Sequence, residues 1–129
     1  MTVVIDASAA VLLILRPPST AAIHELAAAE SLHAPSHFDI ECISAMRRSV
    51  HLRTVDRASM ESLSVAVLDL PVTRHPIRAL VPRMVELLDN ASMYDAAYIA
   101  LAEGLEADLL TADARLAGVP GVHCRVRLL

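Results

Sequence analysis

Apolar and polar positions along the chain follow two periods, that of strands and that of helices. Residues 2–5 form a β-branched run without polar alternation, which is typical of a central parallel strand covered on both faces. Four further segments predict strands: residues 32–35, 70–74, 107–111 and 122–126. Because helical segments separate these strands, the pattern predicts one α/β domain over residues 1–129.

The helical segments begin and end at capping and breaking residues. Ser8 is the predicted N-cap of a helix over residues 9–15, which Pro17-Pro18 is predicted to end. Ser19 or Thr20 is predicted to open the second helix, and Ser36 to cap the third. Further predicted helices cover residues 56–67, 77–88 and 92–104.

Two prolines mark irregular positions in this layout. Pro71 lies in the third predicted strand and favours a place at the sheet edge. Pro82 lies inside the helical segment 77–88 and predicts a kink or a break there.

Four carboxylates are predicted to meet at one edge of the sheet. Asp6 ends the first strand, Asp113 follows the fourth, and Glu41 and Asp95 lie early in helices that begin near that edge. Ligand chemistry collects beyond the carboxyl ends of parallel strands, and a carboxylate among apolar residues, as Glu41 is, is costly to leave unpaired. A site built only of carboxylates suits Mg²⁺ or Mn²⁺ rather than zinc, and it predicts nuclease-like or phosphatase-like hydrolysis.

Two of these acids also fit structural roles. Asp113 suits the N-cap of a following helical turn, and Asp95 suits an acid that complements a helix dipole. The 6 histidines are interpreted as structural or surface residues, because none lies in a pattern with a serine or cysteine nucleophile. Cys42 lies in an apolar neighbourhood, which is expected to raise its pKa and make it inert.

Composition narrows the classes of function. The chain has a net charge of -4 and a pI near 5.8, which argues against bulk attraction of polyanions and leaves room for local basic patches. Lysine does not occur, so all 11 basic residues are arginine, and this excludes a Walker-type phosphate loop and a Schiff-base mechanism. Hydrophobic residues make up 55% of the chain, more than so small a domain can bury, which predicts a symmetric homodimer.

The cysteine count and the N-terminal segment indicate the cellular location of the protein. The chain has only 2 cysteines and its N-terminal segment lacks the basic start of a signal peptide. The apolar run after Asp6 is too short to span a membrane, because Arg16 interrupts it. The sequence therefore predicts a cytoplasmic protein without a membrane segment.

The order of the acidic motifs resembles that of the PIN-domain family, in particular its small VapC-type toxins. The motifs that carry this resemblance are residues 3–8, 38–46, 94–98 and 110–116, which contain Asp6, Glu41, Asp95 and Asp113 respectively. The resemblance implies a three-layer α/β/α sandwich with a mainly parallel sheet. It further implies a Mg²⁺-dependent endoribonuclease, the toxin of a type II toxin–antitoxin pair, which a cognate antitoxin inhibits.

The resemblance also assigns roles to the acids. Asp6 and Asp95 match the metal-holding acids of the family, and Glu41 and Asp113 complete the catalytic site as second-line ligands, with Mn²⁺ as a substitute for Mg²⁺. Two alternatives remain. One is a metal-dependent phosphatase-like hydrolase, although the dehalogenase-type phosphatases need a second aspartate where Ser8 stands and a lysine. The other is a catalytically silent PIN-like binding module.

Overall fold

The computed structural model describes residues 1–16 and 20–129, so the predicted break at Pro17-Pro18 and the predicted helix start at Ser19 lie outside the described residues. Within these residues the strands are β1 (Thr2–Ile5), β2 (Ser31–Pro35), β3 (Val72–His75), β4 (Asp108–Thr111) and β5 (Val126–Leu128). The helices are α1 (Ala7–Leu15), α2 (Ala21–Ala29), α3 (Phe38–His51), α4 (Met60–Leu68), α5 (Val81–Glu86) and α6 (Met93–Gly104). Short 3₁₀ turns cover Arg57–Ser59, Arg78–Leu80 and Ala114–Gly118.

All strand pairs in the sheet are parallel, and the strand order is β3-β2-β1-β4-β5. The chain therefore moves outward from β1 to β3 on one side, and then returns to the other side of β1 to form β4 and β5. Right-handed crossovers place α1 to α4 on one face and α5 and α6 on the other. This is the three-layer α/β/α arrangement that the resemblance implied.

The reversal of strand order creates a crevice between β1 and β4. Val3 pairs with Asp108 and Ile5 with Leu110, so both strands end at the same level. The backbone N–H of Asp6 donates to the carbonyl of Leu110 at 3.0 Å, which holds the strand ends together. Such a switch point is where open parallel sheets bind their ligands.

The hydrophobic core is built around strand β1 and helix α6, whose apolar patterns are clear in the sequence. Val3, Val4 and Ile5 are fully buried, as expected for a strand between two helical layers. Helix α6 buries a continuous segment from Ala96 to Ala102, and it contacts β1, β2 and β4. Small alanine side chains let this helix pack closely on the sheet, so its first turn is fixed next to the end of β1.

Arg74 in β3 anchors the start of α3. Its guanidinium donates to Asp39 Oδ1 at 2.8 Å, in the first turn of α3. The same group donates to three carbonyl oxygens that precede or belong to β3, those of Val67, Leu70 and Val72. Because Glu41 lies two residues after Asp39, this contact also helps to position Glu41.

Three predicted boundaries are wrong for local reasons. Ser36 is not the cap of α3, because His37 occupies the N-cap position and makes no side-chain capping bond. The predicted helix over residues 77–88 is a 3₁₀ turn, Arg78–Leu80, followed by α5, so its bounds are wrong, whereas the break predicted from Pro82 is confirmed, because Pro82 lies in the first turn of α5. Strand β5 begins at Val126 rather than near residue 122, because the preceding loop is held elsewhere: His123 N–H donates to Glu103 Oε1 at 2.8 Å.

The edge position predicted from Pro71 is confirmed, since β3 is the first strand of the sheet order. In the described part of the chain, no helix combines the length and the apolar character needed to cross a membrane.

Candidate functional site

All four predicted acids line one cavity of about 440 Å³ at the carboxyl ends of β1 and β4. Asp6 follows β1, Asp113 follows β4, Asp95 lies in the first turn of α6, and Glu41 lies in the first turn of α3. The remaining wall is formed by side chains of α1, α3, α6 and the turn after β4: Ala7, Ser8, Ile40, Ser44, Ala45, Arg48, Tyr94, Tyr98 and Arg115. The convergence predicted from the sequence is therefore present in the structure.

Asp6 is the most buried of the four acids, with 5% of its surface exposed. Its Oδ1 accepts hydrogen bonds from Ser8 Oγ at 2.7 Å and from the backbone N–H of Ala9 at 2.9 Å, and its Oδ2 accepts one from Thr111 Oγ1. Asp6, and not Ser8, is thus the N-cap of α1. The predicted cap was wrong because the carboxylate ending β1 already reaches the first free N–H groups of the helix.

The two hydroxyls around Asp6 are oriented by the backbone. Ser8 Oγ accepts from the N–H of Ala112 at 2.9 Å, and Thr111 Oγ1 accepts from the N–H of Asp113 at 3.0 Å. A hydroxyl has a single proton to donate, and here each directs it to a different oxygen of Asp6. The surroundings therefore offer Asp6 donors alone, which is the environment that an ionised carboxylate requires.

Burial and neighbouring charge act on the two metal-holding candidates in the same direction. Burial raises the pKa of Asp6 above 3.8, the bonds from Thr111, Ser8 and Ala9 oppose this rise, and the Asp95 carboxylate adds to it. Burial also raises the pKa of Asp95, which the Ser92 hydroxyl opposes and the charges of Glu41 and Asp113 increase. The crowded carboxylates repel one another, so a cation between them would be stabilising.

Glu41 brings two further polar groups to the cavity wall. Its Oε1 lies 3.0 Å from His37 Nε2, one helical turn earlier. Neither of these buried atoms, nor the hydroxyl of Tyr98, has a partner with hydrogen-bond alignment. Burial, followed by the charge of Glu41, raises the pKa of Tyr98. Glu41 Oε1 is therefore enclosed beside His37, while the Glu41 side chain as a whole is 29% exposed in the cavity wall.

Asp113 makes its contacts with one neighbouring residue, Arg115. Its Oδ1 accepts from the N–H of Arg115 and caps the turn Ala114–Gly118, which confirms the capping role predicted from the sequence. The Arg115 guanidinium also lies 2.6 Å from Asp113 Oδ2 and holds the pKa of this carboxyl below its usual range. Asp113 thus combines a capping role with a place at the cavity.

The donor set fits a hard divalent cation. Every candidate ligand is a carboxylate oxygen. Among residues 1–16 and 20–129, no three His, Cys, Asp or Glu side chains form a ready metal cage. Burial raises the pKa of the Cys42 thiol, as its apolar neighbourhood predicted.

Several residues of the site were not found from the sequence. Thr111 ends a buried strand and is itself fully buried, so a polar residue in an apolar strand was the available signal. His37 was interpreted as structural or surface, yet it contacts Glu41, at the spacing of four that places helix residues on one face. Arg115 was not singled out, because no pattern in the sequence indicates its ion pair with Asp113.

Comparison with known proteins finds similarity over nearly the whole chain. The sequence pattern of the PIN domain family matches residues 3–122 of the chain. The chain is 41% identical to Ribonuclease VapC12 of Mycobacterium tuberculosis over 129 residues, which is 98% of each chain. It is 36% identical to Ribonuclease VapC9 of the same organism over 127 residues, again 98% of each chain.

Solved structures share the fold at lower identity. PAE2754 from Pyrobaculum aerophilum superposes with a TM-score of 0.67 at 24% identity, covering 98% of this chain and 83% of the other. Mycobacterium tuberculosis VapC20, described as a sarcin-ricin loop cleaving toxin, gives 0.64 at 16% identity, covering 94% and 96%. A toxin-antitoxin complex from Klebsiella pneumoniae gives 0.53 at 19% identity, covering 94% and 95%.

Removal of the Thr111 hydroxyl tests the support of Asp6. We expect Thr111→Val to lower the free energy of unfolding by about 2 kcal/mol at neutral pH in chelator, because a hydrogen bond to a buried carboxylate is lost. The bond lowers the pKa of Asp6, so its contribution requires ionised Asp6 and should fade as the pH falls through that pKa. Thr73→Val, at an exposed position of β3, is the control and should change stability by less than about 0.5 kcal/mol. Equal losses in both variants, measured by denaturant unfolding, would contradict this role.

Proposed function

The chain belongs to the PIN-domain family, and on that premise we propose that it is the endoribonuclease toxin of a type II toxin–antitoxin pair, formed by a single PIN domain over residues 1–129. One observation carries the proposal: four carboxylates from four separate elements line a single cavity at the switch point of the sheet. The 41% identity to a ribonuclease over nearly the full length supports the same activity. Both cysteines are free, which fits a cytoplasmic setting.

The metal proposal assigns Mg²⁺, or Mn²⁺ in its place, to Asp6 and Asp95, with Glu41 and Asp113 as second-line ligands. The raised pKa values of Asp6 and Asp95 support this choice, since both carboxylates would gain from a nearby cation. When bound, such an ion would lower the pKa of a water and neutralise charge on the phosphate under attack.

The residues of the chain have separate tasks in the proposed hydrolysis. Ser8 and Thr111 hold the Asp6 carboxylate in one orientation by donating to its two oxygens. The Glu41 side chain is 29% exposed and lines the cavity, so its carboxylate is suited to accept a proton from the attacking water. Arg115 holds the Asp113 carboxylate in place at 2.6 Å and lowers its pKa.

We propose single-stranded or loop RNA as the substrate. A strand whose backbone is free of a duplex can bring one phosphate into a crevice, whereas the phosphates of a helical duplex follow a fixed surface. The related fold of VapC20, a sarcin-ricin loop cleaving toxin, supports a loop as the target.

The alternatives fit the structure less well. Ser8 stands where a dehalogenase-type phosphatase would need its second aspartate, and its hydroxyl donates to Asp6. A silent binding module would have no use for the two carboxylates whose pKa values are raised within an open cavity. The nuclease assay below separates both alternatives from the proposal.

We propose an antitoxin and a second copy of the chain as protein partners. An acidic cavity suits a basic side chain of an antitoxin, which could occupy the position of the metal. The related fold in the Klebsiella pneumoniae toxin-antitoxin complex supports this kind of partner. For the homodimer, α5 and the residues after it expose Val81, Val85 and Leu88 at helical spacing, and a sedimentation mass at micromolar concentration decides between one chain and two.

Cleavage of RNA should depend on both the metal and the acids. Pure protein with Mg²⁺ or Mn²⁺ should cleave a single-stranded RNA, and EDTA should abolish cleavage. Glu41→Gln should lower the rate by at least about 100-fold, because general-base catalysis contributes that much, whereas Glu61→Gln on exposed α4 should leave it unchanged. Cleavage that persists in EDTA would contradict the metal mechanism, and hydrolysis of phosphomonoesters in place of RNA would favour the phosphatase.

Antitoxin binding should weaken when the cavity loses charge. If an antitoxin arginine enters the acidic cavity, Asp95→Asn should raise the Kd of the complex at least about tenfold, since an ion pair with a partly buried carboxylate is lost. Calorimetric titration of wild type and variant measures this change. Equal affinities would exclude insertion into the site and leave the partner elsewhere on the surface.

A further inference from the structure

The arginines of this chain divide into a paired group and an unpaired group. Four of the 11 form ion pairs with carboxylates: Arg74, Arg83, Arg115 and Arg127. The other seven, all within the described part of the chain, donate no side-chain hydrogen bond and form no ion pair: Arg16, Arg47, Arg48, Arg53, Arg57, Arg78 and Arg125. Four of these seven lie between residues 47 and 57, so unpaired positive charge is concentrated in one stretch.

This stretch continues from the cavity along one face of α3. Arg48 lies seven residues after Glu41, which places it on the same face about 10 Å further along the helix, and both residues line the cavity. Beyond the end of α3, His51, Arg53 and Arg57 line a separate surface hollow. We call Arg48, His51, Arg53 and Arg57 the α3 track.

Negative charge is scarce along the α3 track. The sequence between Glu41 and Asp56 contains neither aspartate nor glutamate. Asp56 lines the same hollow, but its carboxylate accepts from the N–H of Ala58 and caps the turn Arg57–Ser59. A protein of net charge -4 repels a polyanion at long range. A cationic strip that leads to the acidic cavity would offset this repulsion locally.

The backbone at Arg53 ends α3 and leads into the hollow. Arg53 has a φ of 59°, in the left-handed region, and it follows the last residues of α3 where a glycine would adopt this conformation without strain. The position is otherwise a regular helix end, since the N–H of Thr54 donates to the carbonyl of Ser49 at 2.9 Å. Glu106 has the same conformation after α6, so this geometry marks the end of a helix, and it leaves the exposed Arg53 side chain in the wall of the hollow.

We propose that the α3 track binds the phosphate backbone of the RNA on one side of the scissile bond and so directs the strand into the cavity. This inference rests on the proposed ribonuclease function and extends it to a substrate-binding surface. Arg48 would bind the phosphates nearest the cavity, and Arg53 and Arg57 those further along the strand. The contacts are to phosphates, so they contribute affinity and direction and carry no sequence preference.

The test compares two double variants that remove the same charge. Arg53→Gln with Arg57→Gln changes the outer part of the track, while Arg78→Gln with Arg125→Gln changes two exposed, unpaired arginines that line neither the cavity nor the hollow. Binding of a fluorescent single-stranded oligoribonucleotide is measured in EDTA, where the RNA stays intact, over a range of salt concentrations. Thermal melts of all three proteins show whether either pair of substitutions affects folding.

The track variant should bind RNA more weakly than wild type. Its slope of log affinity against log salt should be shallower by about 1.4, since each phosphate contact to a single strand contributes about 0.7. The control variant should keep the wild-type slope, and both should melt within a few degrees of wild type. With Mg²⁺ restored, the track variant should show a raised KM and an unchanged kcat.

Three results would overturn the proposal. Equal slopes in the two double variants, in a wild type that binds and cleaves RNA, would reject the track and leave the nuclease function intact. A lower melting temperature of the track variant with an unchanged slope would show that these arginines serve the end of α3. Loss of antitoxin affinity with RNA binding retained would make the surface a protein-docking site. A wild type that neither binds nor cleaves RNA would instead reject the proposed function itself.

Discussion

The site depends on one buried carboxylate that has to remain charged. Asp6 ends β1 with 5% of its surface exposed, and an anion in that position is costly unless donors surround it. The donors come from both sides of the crevice: the first turn of α1 on one side and Thr111 at the end of β4 on the other. Satisfying Asp6 therefore ties together the two strand ends between which the cavity opens.

The cavity contains both an ion pair and carboxylates that repel one another. Arg115 pairs with Asp113, whereas burial and the charges of neighbouring carboxylates raise the pKa of both Asp6 and Asp95. A carboxyl group whose pKa is raised in the fold costs stability when it is ionised. The α3 track carries positive charge, whereas the cavity carries negative charge. In the proposed function, the track binds the polyanion and the cavity binds the metal.

The elements that the sequence predicted well are those whose patterns are local. Strand β1 and helix α6 have the predicted bounds, because an unbroken β-branched run and a Ser92 cap followed by an apolar helix each have a single interpretation. The four acids were found for a similar reason, since each follows a strand or opens a helix at the same edge. Their exact partners were not found, because Ser8 and Thr111 are 103 residues apart and meet only in the folded sheet.

The other wrong predictions also arise from contacts that the sequence pattern does not reveal. The cap of α1 was assigned to Ser8, since the sequence does not reveal that Asp6 turns back onto the helix. Strand β5 was placed too early, because the loop before it is held by Glu103 on α6, a contact between distant residues. The pairing of His37 with Glu41 was missed although the two residues share a helix face, because a histidine at an N-cap position has no distinctive pattern.

The central claim, that Asp95 and its neighbours form a metal site rather than a set of helix caps, is tested most directly by thermal melts of wild type and Asp95→Asn with and without Mg²⁺. The pKa of Asp95 is raised in the fold, so its ionised form costs stability above that pKa, and this cost vanishes below the ordinary value of 3.8. In chelator at neutral pH and low salt, the variant should therefore melt at the wild-type temperature or above it. Saturating Mg²⁺ should stabilise wild type by about 2.7 kcal/mol at 100 times its Kd, and the variant by much less at the same concentration. A variant that melts several degrees lower in chelator and gains as much from Mg²⁺ as wild type would show that Asp95 is a structural residue and would contradict the account.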